Sequence, residues 1–321
     1  MDQLWQSRCS ISLLLEMGWR LDPATKRILH RRTKHLVNLP AMPRVLAALN
    51  EALSVNAGKA DVDKIVRTIA YDKSLAAQCL RMANSVLYRQ RAEVTTIREA
   101  VLSLGLWRIR DLAFSCNLPL LFSSLDCVVP KEVFWRHALA TAFVGERLGM
   151  EFHSAAREQI YLAGLLHDIG ILINGLLFPD EFRKILEEAV RQRSPVLPIE
   201  QRVLRFTHAE SGRILAEVWK LPVEVTEVIE FHHAPEQQPT NNEATLIVEL
   251  ANRLCWKYGL GYGYSLAENA ENAEDPFQTL RERFSKISAC AEHDYEPILQ
   301  AHMLAARELA DQVFGLQLVC G

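Results

Sequence analysis

The chain has 321 residues, of which 49% are hydrophobic and 23% charged, and its formal net charge is −3. That balance excludes an intrinsically disordered protein, gives no global attraction to nucleic acid, and leaves length enough for two packed units. Seven cysteines without a CxxC pair exclude a zinc ribbon or disulfide framework and read as buried thiols in a reducing cytosol.

Apolar residues recur at spacings of three and four and strand-like alternation is nowhere sustained, which predicts an all-α fold. Asp22-Pro23 reads as an N-cap and first helical residue of an amphipathic helix reaching about residue 34. The crowd of Lys26, Arg27, His30, Arg31, Arg32, Lys34 and His35 reads as a solvated face, so no nucleic-acid partner is expected. Met42-Pro43 opens a helix through residue 53, with Val45, Leu46 and Leu49 on one stripe. Asp61 caps the next, whose apolar face is Val62, Ile65, Val66 and Ile69. A helix from about residue 73 ends in Asn84-Ser85, a polar pair read as a cap or turn. Thr96 starts a helix that Gly105 is expected to terminate in a left-handed conformation. A helix over about 107–116 closes this first bundle, with Pro119 expected to stop it.

Pro130 begins the second unit and the helix carrying His137, and the two units are expected to meet near residues 122–130. A helix over about 154–167 ends in His167-Asp168-Ile169-Gly170, where Gly170 is expected to turn the backbone tightly. The helix over 180–193 is charged at Glu181, Arg183, Lys184, Glu187 and Glu188 and reads as peripheral. Thr207 and Glu210 have capping-box spacing, which puts His208 at the first helical position. Leu221-Pro222 separates that helix from one over 223–233, and a helix over about 243–258 holds Asn252. The glycines at 259, 261 and 263 and the acidic stretch 268–275 read as a loop. They make no nucleotide motif, because a helix and not a strand precedes them. Helices over about 276–287 and 295–314 follow; Leu299, Met303, Leu304, Ala306 and Leu309 suit packing onto the body or onto a second copy of the chain. No basic start with a long apolar stretch marks the N-terminus, and 118–122 is too short to span a bilayer, so a cytoplasmic protein without membrane contact is expected.

Five of the ten histidines form one ordered series: His137, His167 next to Asp168, His208, and the pair His232-His233. A histidine nitrogen and a carboxylate on consecutive residues near a helix end can reach one divalent cation. One ligand from each of several helices is how bundle interiors build metal sites.

The series resembles the HD superfamily of metal-dependent phosphohydrolases, whose minimal signature is His, then His-Asp, then a later Asp. The extra histidines look like those of the HD-GYP cyclic-dinucleotide phosphodiesterases. Further motifs are similar to the HDOD domain, the HD-related output domain of bacterial signalling proteins. They are Leu39-Pro40-Ala41-Met42-Pro43, Asp72-Lys73-Ser74-Leu75 leading to Met82-Ala83-Asn84-Ser85, and Ile97-Arg98-Glu99-Ala100 with Leu104-Gly105. Glu217-Val218-Trp219-Lys220-Leu221-Pro222 and His232-His233-Ala234-Pro235 complete them, and the likeness covers about residues 36–260.

The resemblance implies an N-terminal extension over 1–35, a helical subdomain over 36–128, an HD-like bundle over 129–260, and a loop with C-terminal helices over 261–321. It implies a signal-transduction output module acting on a protein partner, with a non-catalytic pocket of His137, His167, Asp168, His208, His232 and His233 for iron, zinc or manganese. A metal-dependent phosphohydrolase is the alternative. The departures favour the first reading. Catalytic HD-GYP members carry Lys where this chain has Ile171, and no Gly-Tyr-Pro follows His233. Asn252, a weak neutral ligand, stands at the late Asp, and Val133 where some relatives have a ligating Glu.

Overall fold

The computed structural model describes residues 42–54, 62–85, 88, 93–152, 154–239, 243–262 and 296–315. The expected helices over 22–34 and 276–287, the N-terminal basic run, the acidic stretch, and Cys9, Cys290 and Cys320 lie outside the described residues. Among the described residues the fold is helical, without strands.

The first five helices are α1 (Arg44–Ser54), α2 (Val62–Tyr71), α3 (Lys73–Ala83), α4 (Ile97–Leu104) and α5 (Leu106–Ser123). Local chemistry sets their ends. Asp72 accepts the Leu75 N–H at 3.0 Å and caps α3, while Thr96 and Glu99 form a capping box on α4. Asn84 ends α3 and ties down the following chain: its Nδ2 donates to the Leu80 and Val94 carbonyls, and its Oδ1 accepts the Val94 N–H. Gly105 has φ 84 and ψ 162, which is not the left-handed helical cap expected. It is an extended conformation open to glycine, and it lets α5 start on the next residue.

The expectation that Pro119 ends α5 is overturned, since the helix runs through it to Ser123. Leu118, Pro119 and Phe122 are buried, with the Phe122 ring 5.8 Å from that of Trp135 and 6.4 Å from that of Trp219. Burial of this last turn offsets the one backbone hydrogen bond that proline forfeits.

The second group comprises α6 (Lys131–Glu151), α7 (Arg157–Leu166), α8 (Ile169–Leu177), α9 (Pro179–Gln192), α10 (Val196–Val203), α11 (His208–Val218), α12 (Val223–Phe231) and α13 (Glu243–Lys257). Helices α6, α7 and α13 pack on one another, α8 on α11, and α11 on α12. The run Arg157–Leu177 is long and apolar enough to cross a membrane by length and composition, yet it is 89% buried inside the fold. It is also broken between α7 and α8 at His167-Asp168. Helix α14 (Glu296–Gly315) lies along α6 and buries Leu299, Met303, Ala306 and Leu309. Leu304, expected in that contact, is instead 61% exposed.

Helix α5 joins the two groups through its contacts with α6 and α7. Charge is buried at that joint. Arg110 donates twice to Asp111 Oδ1, at 2.9 and 2.6 Å, and once to the Glu158 carbonyl at 2.7 Å. Arg108 pairs with Glu146, and the Ser115 and Tyr161 hydroxyls meet at 2.8 Å. Burial raises Asp111 to about 6, against the pull of Arg110.

Candidate metal centre

The break between α7 and α8 builds the centre of the site. His167 closes α7 and Asp168 stands just before α8, so consecutive side chains leave two helix ends toward one point. Gly170 does not make this turn, contrary to expectation. It lies inside α8 with an ordinary helical backbone. Its hydrogen side chain is required for another reason: a Cβ there would stand 1.8 Å from the His208 carbonyl oxygen. The glycine lets α8 and α11 touch, and so brings His208 to Asp168.

The Thr207–Glu210 capping box holds His208 at the start of α11, as expected. His232 follows the end of α12, two residues sooner than expected, and His233 comes next. His137 projects from the first third of α6, and Asn252 from α13.

All of these converge on Asp168. Its Oδ1 is 3.2 Å from both His208 Nε2 and His232 Nε2, and its Oδ2 is 2.9 Å from His167 Nε2 and 3.8 Å from His137 Nε2. His233 Nε2 lies 2.8 Å from His208 Nε2. His137, His167, Asp168 and His232 are at most 4% exposed, and His208 3%. Asn252, 5% exposed, lies beside His137. Val133 is 39% exposed, whereas Ile171 is buried at 3%.

The outer ring nitrogens explain the orientation. His167 Nδ1–H donates to the Gly164 carbonyl at 2.7 Å, His232 Nδ1–H to Ile229 at 2.9 Å, and His137 Nδ1–H to Leu260 at 2.9 Å. His208 Nδ1–H donates to Glu200 Oε2 at 2.7 Å. With their protons outside on backbone carbonyls, His137, His167 and His232 turn the lone pair of Nε2 toward the Asp168 carboxylate. Acceptors therefore face acceptors, and His167 Nε2, His232 Nε2, Asp168 Oδ1 and Asn252 Oδ1 are buried without a hydrogen bond. A cation is what such a constellation lacks, and imidazole with carboxylate suits first-row divalent metals. Two overlapping ligand sets share Asp168: one with His208, His232 and His233, the other with His137 and His167.

The electrostatics follow from burial and this crowding. Burial lowers His137 to about 4, helped by His167. Burial and the neighbouring imidazoles push His233 well below the ordinary histidine range. His208 goes the other way: burial opposes its charge, but Glu200 and Asp168 outweigh burial and raise it well above that range. Asp168 also resists burial, because His167, His208 and His232 hold its carboxyl well below the usual carboxylate range.

Two site residues escaped sequence reasoning. Glu200, 0% exposed, comes from α10, an element missed because Pro195 and Pro198 bracket its start. Both prolines fall where helix N–H groups have no intrahelical partner, so neither breaks it. The available signal was Glu200 standing in register with Val196, Ile199 and Val203 on an apolar stripe. Tyr262, read as part of a loop, donates its hydroxyl to Asp168 Oδ2 at 2.8 Å and stacks on Phe134. It lies two residues beyond the expected boundary at 260, and only chain reversal after Gly259, at φ 73, brings it back.

The cluster meets the surface beside His233, in a pocket lined by Leu197, Thr207, Glu210, Glu230, Phe231 and Gln237 among others. Among the described residues no lysine or arginine lines it. Glu230 is paired with Arg213 at 2.8 Å, and burial raises Glu210 to about 7 despite its bonds to Thr207.

Comparison with known proteins follows the same lines. An uncharacterized protein of Treponema pallidum (strain Nichols) is 27% identical over 207 residues, which span 62% of this chain and 39% of that protein. The crystal structure of an HDOD domain protein of unknown function from Geobacter sulfurreducens superposes with a TM-score of 0.76 at 23% identity, covering 91% of this chain and 99% of that one. A Shewanella amazonensis SB2B protein provisionally named a phosphohydrolase superposes at 0.65 with 21% identity, covering 89% and 97%. At these identities the structural likeness is one of fold. The sequence model of the HDOD domain, however, matches residues 39–235, more than half of the chain. With that match spanning α1–α5 and all of the pocket histidines, the chain belongs to the HDOD domain family.

Proposed function

We propose that this protein is a cytoplasmic signal-transduction output module that acts by binding another signalling protein, and that its histidine cluster holds a structural divalent metal: iron, zinc or manganese. The observation that carries the reading is closure. The inward nitrogens of His137, His167 and His232 are sealed from solvent, whereas a hydrolytic metal keeps a coordination position open to water and substrate. His137, His167, Asp168, His208, His232 and His233 are the ligands in this reading, with Asn252 contributing a neutral oxygen. When bound, the metal supplies the positive charge that the facing lone pairs lack. Tyr262 and Glu200 hold their orientation.

Among the described residues no cationic side chain lines the pocket mouth, which also supports binding over turnover, because a phosphate ester entering there finds no lysine or arginine to neutralise it. The net charge of −3 argues for a protein rather than a nucleic acid as partner. One observation favours the alternative, a metal-dependent phosphohydrolase: the pocket does reach His233, an edge ligand.

Metal analysis of protein purified without a histidine tag, together with a phosphodiesterase screen supplied with manganese or iron, tests the reading. Metal without turnover is expected. Chelator-sensitive turnover would select the hydrolase, and protein that binds no divalent metal would remove the metal centre.

A further inference from the structure

Three of the four central histidines rest their outer nitrogen on a backbone carbonyl, and His208 alone rests it on a carboxylate. That carboxylate is fully committed. Glu200 Oε2 accepts both the Nδ1–H of His208 at 2.7 Å and its backbone N–H at 2.9 Å, and Oε1 accepts the Asn174 amide at 3.0 Å. Glu200 and Asn174 are both 0% exposed. A carboxylate sealed on the buried face of its helix, with all of its bonds aimed at one imidazole and its support, has little purpose as packing.

We infer that Glu200 is a positioning residue: it locks His208 with Nε2 toward Asp168 and His233, and makes the Asp168–His208–His232–His233 set the tighter of two cation subsites. This rests on the metal reading above. A carboxylate behind a ligating imidazole raises its basicity and removes its freedom to flip, and loss of such a partner lowers metal affinity about 10- to 100-fold. The opposing set has two histidines, the shared Asp168 and the neutral Asn252, with carbonyls behind both rings. The asymmetry of the outer partners thus sets the order in which the subsites fill.

Glu200→Gln is the informative variant. Its amide oxygen can still accept both His208 protons, and its NH2 can face Asn174 once that amide turns over, since Asn174 Oδ1 has no hydrogen-bond partner now. Shape and satisfaction survive while the charge goes. Zinc titration of full-length wild type and E200Q, by calorimetry against a competing chelator, should show the tighter step weakened about 10- to 100-fold with the weaker step unchanged. Nitrogen-15 spectra of zinc-loaded wild type should show His208 protonated on Nδ1 and bound through Nε2. That measurement decides the orientation even if E200Q does not fold. Equal zinc affinity in wild type and variant, or His208 bound through Nδ1, would overturn the positioning role and leave the metal centre standing. No zinc bound by the wild type would overturn both.

Discussion

Gly170 and the His208 carbonyl meet so closely that a single methyl would land 1.8 Å from the oxygen, inside any permitted contact. The same methyl would stand 2.7 Å from the Gly212 backbone nitrogen, so the obstacle is backbone and cannot swing aside. At this point helices α8 and α11 have room for nothing larger than a glycine hydrogen between them. Gly170→Ala is therefore expected to force the helices apart and cost about 3 kcal/mol, the upper end of overpacking penalties. Thermal melting lowered by several degrees, with weakened metal binding through a displaced His208, is the expected result. An unchanged melt would show that α8 and α11 do not approach this closely.

Asn252 has a buried Oδ1 without a hydrogen bond beside His137. Asn252→Asp adds an anion to the His137–His167–Asp168 set at constant shape. Divalent metal should bind at least about tenfold more tightly, because the charge neutralises the cation where an amide dipole only solvates it. A competition assay with a metallochromic dye measures this. Unchanged affinity would put residue 252 outside the coordination sphere.

His137 is held to about 4, first by burial and then by His167, so its folded value lies below the ordinary 6.5. Between those values the unfolded chain takes a proton that the folded one refuses. Its contribution is fully present above pH 6.5 and is lost as pH falls toward 4, roughly 3 kcal/mol in all. His208, raised above 6.5, acts with the opposite sign, its contribution present below pH 6.5 and lost as pH rises. In chelator, urea unfolding of His137→Gln should lose less stability than wild type between pH 7 and 5. Parallel losses would assign the acid sensitivity elsewhere.

Arg110 is 1% exposed and its charge is met by Asp111 and the Glu158 carbonyl. Asp111→Ala strands that guanidinium at the joint between α5 and α7, which should cost about 3–5 kcal/mol. Adding Arg110→Met removes the stranded charge and should recover most of the loss. Urea midpoints of the two variants provide the check; an additive further loss in the double variant would mean that Arg110 works chiefly through Glu158.

The all-helical fold was legible in the sequence because its signals are local. Spacings of three and four mark the buried stripe of Leu46 and Leu49, and Thr207 with Glu210 marks the start of α11, within a turn or two of chain. The histidine–aspartate series was legible too, since its order along the chain needs no coordinates. What the tertiary structure decided was which atoms face one another. Pro119 reads as a stop until the burial of Phe122 against Trp135 is weighed, and Gly170 reads as a turn until α11 is laid across it. Glu200 stands on the apolar stripe of α10, but only packing shows that its carboxylate is aimed at His208, eight residues ahead. Tyr262 reaches Asp168 across 94 positions of sequence. Local periodicity carries the free energy of helix faces, but a buried polar contact depends on partners that only packing brings within 3 Å, about the length of a hydrogen bond.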